Sequence, residues 1–147
     1  GNLSYLRYIC ISQNKLKEEY MAEAGTGSVK YMEAMDRAVD YVKRLGFEGI
    51  RARHEEFDEP AHLKMQGEDK SFVPDITAMK NGGKYYFEIA DRSIVETDVV
   101  GKWKLMATLA SMKGGDLRVF VPYGCMKFTT EILEKKNIKA EIIKLAR

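Results

Sequence analysis

Asp75 and Glu88 stand on either side of a strong turn signal, Asn81-Gly82, which is flanked by apolar-rich runs. Asn-Gly marks a two-residue hairpin because both turn positions tolerate positive φ. Such a turn sets Lys80 opposite Gly83, Ile76 opposite Phe87, and therefore Asp75 opposite Glu88. A three-residue loop with a bulge would separate the two acids instead. In the two-residue register Pro74, Ile76 and Ala78 share a core face with Tyr85, Phe87 and Ile89. Asp75 and Thr77 share the other face with Tyr86, Glu88 and Ala90. Carboxylates directly opposite one another across strands repel. A divalent cation reverses the sign, since Mg²⁺ is held by one or two carboxylates with water and phosphate oxygens. The competing reading is a pair of solvated acids on an exposed strand face, which residue type alone favours.

The elements around this hairpin follow from periodicity. Leu3 to Ala24 is rich in helix formers and reads as a helical extension over residues 1–27, broken by Gly25-Thr26-Gly27. Ser28 is placed to cap a second helix, whose apolar residues Met35, Ala38, Val39, Val42 and Leu45 form one stripe, stopped by Gly46. Phe47 to Phe57 holds a first strand, and Asp58 to Ser71 reads as a polar loop. Phe72 to Lys80 and Lys84 to Ala90 are the hairpin strands. Glu96 to Lys113 is a helix with Val99, Trp103, Met106 and Ala110 on one side, stopped by Gly114-Gly115. Leu117 to Val121 is a short apolar run, as in a strand buried on both faces. Met126 to Lys136 is a last helix, with Asn137 as its left-handed cap and Ile138 packing back, and Ala140 to Leu145 is a last strand. The order predicts an α/β fold: a mixed central sheet of about five strands flanked by helices, within one domain whose core is 28–147.

Val73-Pro74-Asp75-Ile76, a hairpin, then Tyr86-Phe87-Glu88-Ile89-Ala90 resembles the PD-(D/E)XK nuclease superfamily, the restriction-endonuclease-like fold. In that family a proline-aspartate on the second strand precedes an acid-x-lysine on the third, within a core of helix, three-strand meander, helix and strand. Tyr31 to Val121 follows that order. The resemblance implies that Asp75, Glu88 and the backbone carbonyl of Ile89 bind Mg²⁺ or Mn²⁺. It implies also a lysine that orients or activates water. Here Ala90 stands in the lysine's place, and Met35 stands near where some members carry a helical glutamate; Glu33 points away from the core stripe. Two cations are candidates for the missing charge. Arg92 shares strand parity with Glu88 if the strand persists that far, and Lys102 lies on the shoulder of the following helix, beside Trp103 and Met106. For each, a plain surface cation is the alternative.

Other signals are weaker. Gly25-Thr26-Gly27-Ser28 lacks P-loop spacing, and a capped helix start explains it better. His54 and His62 are too few to argue for zinc, and Cys10 and Cys125 lack the close pairing of a metal knuckle, as expected of reduced thiols. The run Glu55, Glu56, Asp58, Glu59 reads as a solvated face, with a sheet-edge metal ligand as the minor alternative. Lys102, Lys104 and Lys113 with Trp103 have the chemistry to contact phosphates and a base, but Trp103 has core spacing.

The 147 residues are 45% apolar and 31% charged, which is ordinary globular composition. A net charge of +2, from 24 basic and 22 acidic residues, neither requires nor excludes nucleic acid. No apolar run approaches membrane-spanning length, and Ser4, Arg7 and Tyr8 interrupt any signal-peptide pattern, so a cytoplasmic protein with no membrane partner is expected. The expected function is metal-dependent hydrolysis of phosphodiesters in DNA or RNA, with Asp75, Glu88, Lys102 and Arg92 as the candidate catalytic groups. A catalytically inactive relative, serving as a nucleic-acid-binding or protein-interaction module, ranks level with it. A small α/β domain unrelated to nucleases ranks behind both.

Overall fold

A computed structural model describes residues 28–64, 67 and 69–145 of the chain. The leading segment, Cys10 and the Gly25-Thr26-Gly27 break lie outside the described residues. The elements are α1 (Ser28–Arg44), β1 (Glu48–Ala52), β2 (Leu63–Lys64), β3 (Ser71–Phe72), β4 (Ile76–Lys80), β5 (Gly83–Ile89), α2 (Glu96–Met112), β6 (Leu117–Val121), α3 (Met126–Lys135) and β7 (Glu141–Lys144). Five strands form one mixed sheet in the order β1-β4-β5-β6-β7. β1, β4 and β5 are an antiparallel meander, while β6 and β7 add in parallel after the α2 and α3 crossovers. The chain is therefore an α/β fold with a mixed five-stranded sheet and helices on both faces.

Local chemistry accounts for the elements. Met35, Ala38, Val39 and Val42 of α1 are buried against Ile76, Ala78, Phe87, Ile89 and Phe120 on one sheet face. Leu45, expected in that stripe, is 38% exposed because the helix ends at Arg44 and Gly46 turns the chain away with a φ of 81°. Val99, Trp103, Met106 and Ala110 are the buried residues of α2, on the opposite face with Tyr86, Ala90 and Val119. Asn137, at φ 51°, takes the left-handed conformation after α3, and Ile138 is buried.

The hairpin has the two-residue register. Lys80 pairs with Gly83 and Ile76 with Phe87, and Asn81 and Gly82 take φ of 50° and 82°. Asp58 to Ser71 is not wholly loop: Leu63↔Phe72 and Lys64↔Ser71 form a two-stranded ribbon. It takes Phe72, so the hairpin strand expected over Phe72 to Lys80 begins only at Ile76.

A β-bulge decides what β1 shows to the site. Glu48 pairs with Met79 and Arg51 with Thr77, so three residue steps on β1 span two on β4. The extra residue includes Gly49 at φ 58°, a conformation that favours glycine. The bulge turns Ile50 toward the α1 core and aligns Arg51 with Thr77 on the α2 side.

Candidate functional site

The two acids are not solvated. Asp75 is 4% exposed and Glu88 is 2% exposed. They are held together at the end of the β4–β5 hairpin by backbone hydrogen bonds that each carboxylate accepts from the other's strand. Asp75 N–H donates to Glu88 Oε2 at 2.8 Å, and Ile89 N–H donates to Asp75 Oδ2 at 2.8 Å. These reciprocal bonds offset the repulsion that bare facing carboxylates would suffer. Two further groups complete the cluster. Tyr31, from the first turn of α1, donates its hydroxyl to Asp75 Oδ1 at 2.6 Å. Lys102, from α2, brings Nζ to 2.9 Å from Glu88 Oε1.

Lys102 reaches Glu88 because α2 lies directly over this part of β5. Ala90 is buried in the same apolar cluster as Val99 and Trp103. A lysine at position 90 would have to fit its long side chain into that packed interface, whereas alanine lets the helix approach. The cation thus arrives from the helix rather than the strand.

Arg92 does not join the cluster. It is exposed, and its guanidinium donates to the Gly124 carbonyl at 3.5 Å. The strand ends at Ile89, and Asp91 then accepts bonds from Ser93 N–H and Ser93 Oγ, an Asx turn that ends the strand parity. Met35 is fully buried in the α1 core and Glu33 is exposed, so α1 contributes Tyr31 rather than a carboxylate.

The cluster lines a cleft of about 460 Å³. Asp75, Glu88, Ile89 and Lys102 all line it, as does Arg53, which sequence reading missed. Arg53 follows β1, and its N–H donates to the Asp75 carbonyl at 2.9 Å. Phe72 and Lys70, from the β3 end of the ribbon, wall the cleft on another side. Lys70 pairs with Asp98 of α2, and Phe72 packs near Gly101, fastening the ribbon over the helix. None of Glu55, Glu56, Asp58 and Glu59 lines the cleft. Trp103 is 2% exposed and is core with one edge on the cleft.

Electrostatics follow from burial. Burial and the Asp75 charge push the Glu88 carboxyl up to about 8, against the opposing pull of Lys102. Lys102 keeps its proton firmly: burial works against the ammonium, but Glu88 and Asp75 together raise its pKa. Burial and the charge of Asp75 raise the Tyr31 phenol well above its usual value. Arg53, whose charge also acts on Tyr31 and Lys102, is a second cation beside the cluster. The donor set suits a hard divalent cation. Each carboxylate has about four lone-pair sites, so both retain acceptor capacity after the bonds above. Among the described residues no group of three or more histidine, cysteine or acidic side chains is placed to hold a metal ion. His54 bonds to Asp36, and Cys125 is a buried free thiol.

No family model matches the chain, and neither a curated protein nor a solved structure matches it significantly. No helix among the described residues is long and apolar enough to cross a membrane.

Proposed function

We propose that the chain is a metal-dependent phosphodiesterase of the PD-(D/E)XK type, with a restriction-endonuclease-like core, acting on DNA or RNA. The observation that carries this reading is the 2.9 Å contact between Lys102 Nζ and Glu88 Oε1. It supplies, from α2, the charge that Ala90 cannot. The α1, β1-β4-β5 meander, α2, β6 order supports the same assignment.

In this reading Asp75, Glu88 and the Ile89 carbonyl hold Mg²⁺ or Mn²⁺. A divalent cation there supplies a bound water of lowered pKa and neutralises phosphate charge. The chain's own groups do the rest. Tyr31 and the Ile89 N–H fix the Asp75 carboxylate so that it does not rotate away from the cleft. The Lys102 ammonium orients the attacking water and stabilises negative charge developing on the phosphate. Arg53, which also lines the cleft, offers a second cation to the phosphate oxygens. Phe72 and the ribbon limit access of bulk water.

The test pairs a thermal melt with a cleavage screen. Mn²⁺ should raise the Tm of the wild type but not of Asp75→Ala, because a ligand bound only by the folded state stabilises it. DNA or RNA should be cut with Mg²⁺ or Mn²⁺, and Lys102→Ala should slow cutting about 100-fold or more. No metal shift and no cleavage would remove the catalytic reading. Nucleic-acid binding that persists without cleavage would leave the inactive relative.

A further inference from the structure

The cations of the sheet are not confined to the cleft. The bulge in β1 sets Arg51 in register with Thr77, and Thr77 in register with Tyr86. Directly opposed residues share a face, so Arg51 lies on the same side as Tyr86 and, two residues back, Lys84. Lys113, at the end of α2, reaches the same place. Its carbonyl accepts the Lys84 N–H at 3.1 Å, and its ammonium approaches the Tyr86 hydroxyl at 3.5 Å. The Lys84 ammonium sits 6.0 Å from the centre of the same ring.

This convergence is fixed by backbone. A Cβ on Gly115 would lie 1.8 Å from the Lys84 carbonyl oxygen, and one on Gly83 would lie 2.5 Å from that of Gly114. The end of α2 and the start of β5 are therefore in contact that only glycine permits, and the backbones of Lys84 and Lys113 are held side by side. Burial and the nearby charges of Lys113 and Arg51 lower the Lys84 pKa, as expected of crowded cations. Lys70, Lys102 and Arg118 each pair with a carboxylate, but among the described residues Arg51, Lys84 and Lys113 form no salt bridge. Glu48 is the nearest acid by register, across Met79 from Lys84. Like charges held together without counterions weaken a fold and favour a bound polyanion.

We infer that Arg51, Lys84 and Lys113 form a track for the phosphodiester backbone of a nucleic-acid strand whose scissile phosphate lies in the cleft. Arg51 is two residues from Arg53, about 6.7 Å along an extended strand, so the track adjoins the cleft wall. The inference rests on the phosphodiesterase reading for its direction, but its test does not depend on cleavage.

The experiment measures binding by fluorescence anisotropy in EDTA, where no metal-dependent cutting occurs. The probes are a labelled 20-nucleotide single strand of DNA, the same sequence as RNA, and the DNA duplex. The wild type is compared with Arg51→Glu/Lys84→Glu/Lys113→Glu, and with the milder Arg51→Gln/Lys113→Gln, which keeps Lys84 in case the triple variant fails to fold. We expect the reversals to weaken binding at least tenfold near 0.1 M salt. The slope of log Kd against log salt should fall by about 2, since each single-strand phosphate contact contributes roughly 0.7. A folded variant that binds all probes with unchanged Kd and slope overturns the track, as does a wild type that binds none of them. Binding abolished by a few millimolar inorganic phosphate also overturns it, because the patch would then be a site for the free anion. A track-dependent Kd with no cleavage of any probe under Mn²⁺ would defeat the nuclease reading and leave the track standing.

Discussion

Lys102→Met isolates the cation from α2. Methionine keeps the length and apolar stem of lysine while removing the ammonium. Breaking a buried ion pair ordinarily costs about 3–5 kcal/mol, because a charge is left without a partner. Here the cost should depend on pH, because Glu88 can take up a proton. At pH 6 Glu88, held up to about 8, is protonated in wild type and variant alike. The variant then loses one hydrogen bond and relieves the burial of an ammonium, a net cost of about 1 kcal/mol or less. At pH 9 the wild type holds an ionised Glu88 beside Lys102, whereas the variant must keep its proton. That adds about 1.4 kcal/mol for the single pH unit above the wild-type value, so the loss should reach roughly 2 kcal/mol. Urea unfolding at pH 6 and pH 9 in EDTA measures both. In a Glu88→Gln background the same substitution should show no such pH dependence. A loss that is equal at the two pH values would refute the argument, as would a full 3–5 kcal/mol already at pH 6. Either result would mean that Glu88 is ionised throughout and that the ion pair is purely structural.

Glu88 alone gives a second test. Its folded pKa is raised, so its contribution is complete below about 4.5 and is lost as pH rises through about 8. Wild-type stability in EDTA should therefore fall by up to about 1.4 kcal/mol per pH unit across that window, and Glu88→Gln should flatten the slope in urea titrations. Thr77 Oγ1 is buried and makes no hydrogen bond among the described residues. Thr77→Val should accordingly raise the unfolding free energy by about 1 kcal/mol; a lower Tm would show that the hydroxyl is satisfied in solution. Gly115→Ala would drive a Cβ into the Lys84 carbonyl at 1.8 Å, where backbone meets backbone. It should cost about 3 kcal/mol or more, whereas an unchanged melt would mean that the end of α2 can lift from β5.

The sequence states the frame of this fold clearly where local chemistry is decisive. Asn81-Gly82 sets the hairpin register without outside help, and with it the meeting of Asp75 and Glu88. The stripe Val99, Trp103, Met106, Ala110 marks the buried side of α2 residue for residue. What could not be read depends on breaks in periodicity. The β2–β3 ribbon has two residues per strand, too short for any alternation to register. Arg53 could not be placed from the sequence, because the bulge at Gly49 adds a residue to β1 and changes the face of every residue after it. The burial of Asp75 and Glu88 was equally hidden, since acids on a strand are usually solvated and only the cover of α2 and α1 removes water from them.

The two candidate cations show why spacing along one element is a poor guide to charge in space. Arg92 satisfied the strand's alternation, but alternation holds only while the strand lasts; β5 ends at Ile89, three residues before Arg92, and the Asp91 turn follows. Lys102 satisfied no strand rule, yet the packing of Val99, Trp103 and Met106 on the sheet fixes the roll of α2, and roll fixes where its shoulder points. Helix roll is set by several buried side chains at once, so it tolerates the loss of any one of them better than a strand register tolerates a slip. A cation delivered by a packed helix is therefore rigidly placed over Glu88, and Ala90 is the small residue that allows that packing. On this argument Ala90→Lys should not add a second useful cation beside Glu88. It should push α2 outward, separate Lys102 from Glu88, and lower both the Tm and any cleavage that Lys102 supports. A variant with Ala90→Lys that melts like the wild type and cuts faster would show that the helix position is not what holds the cation in place.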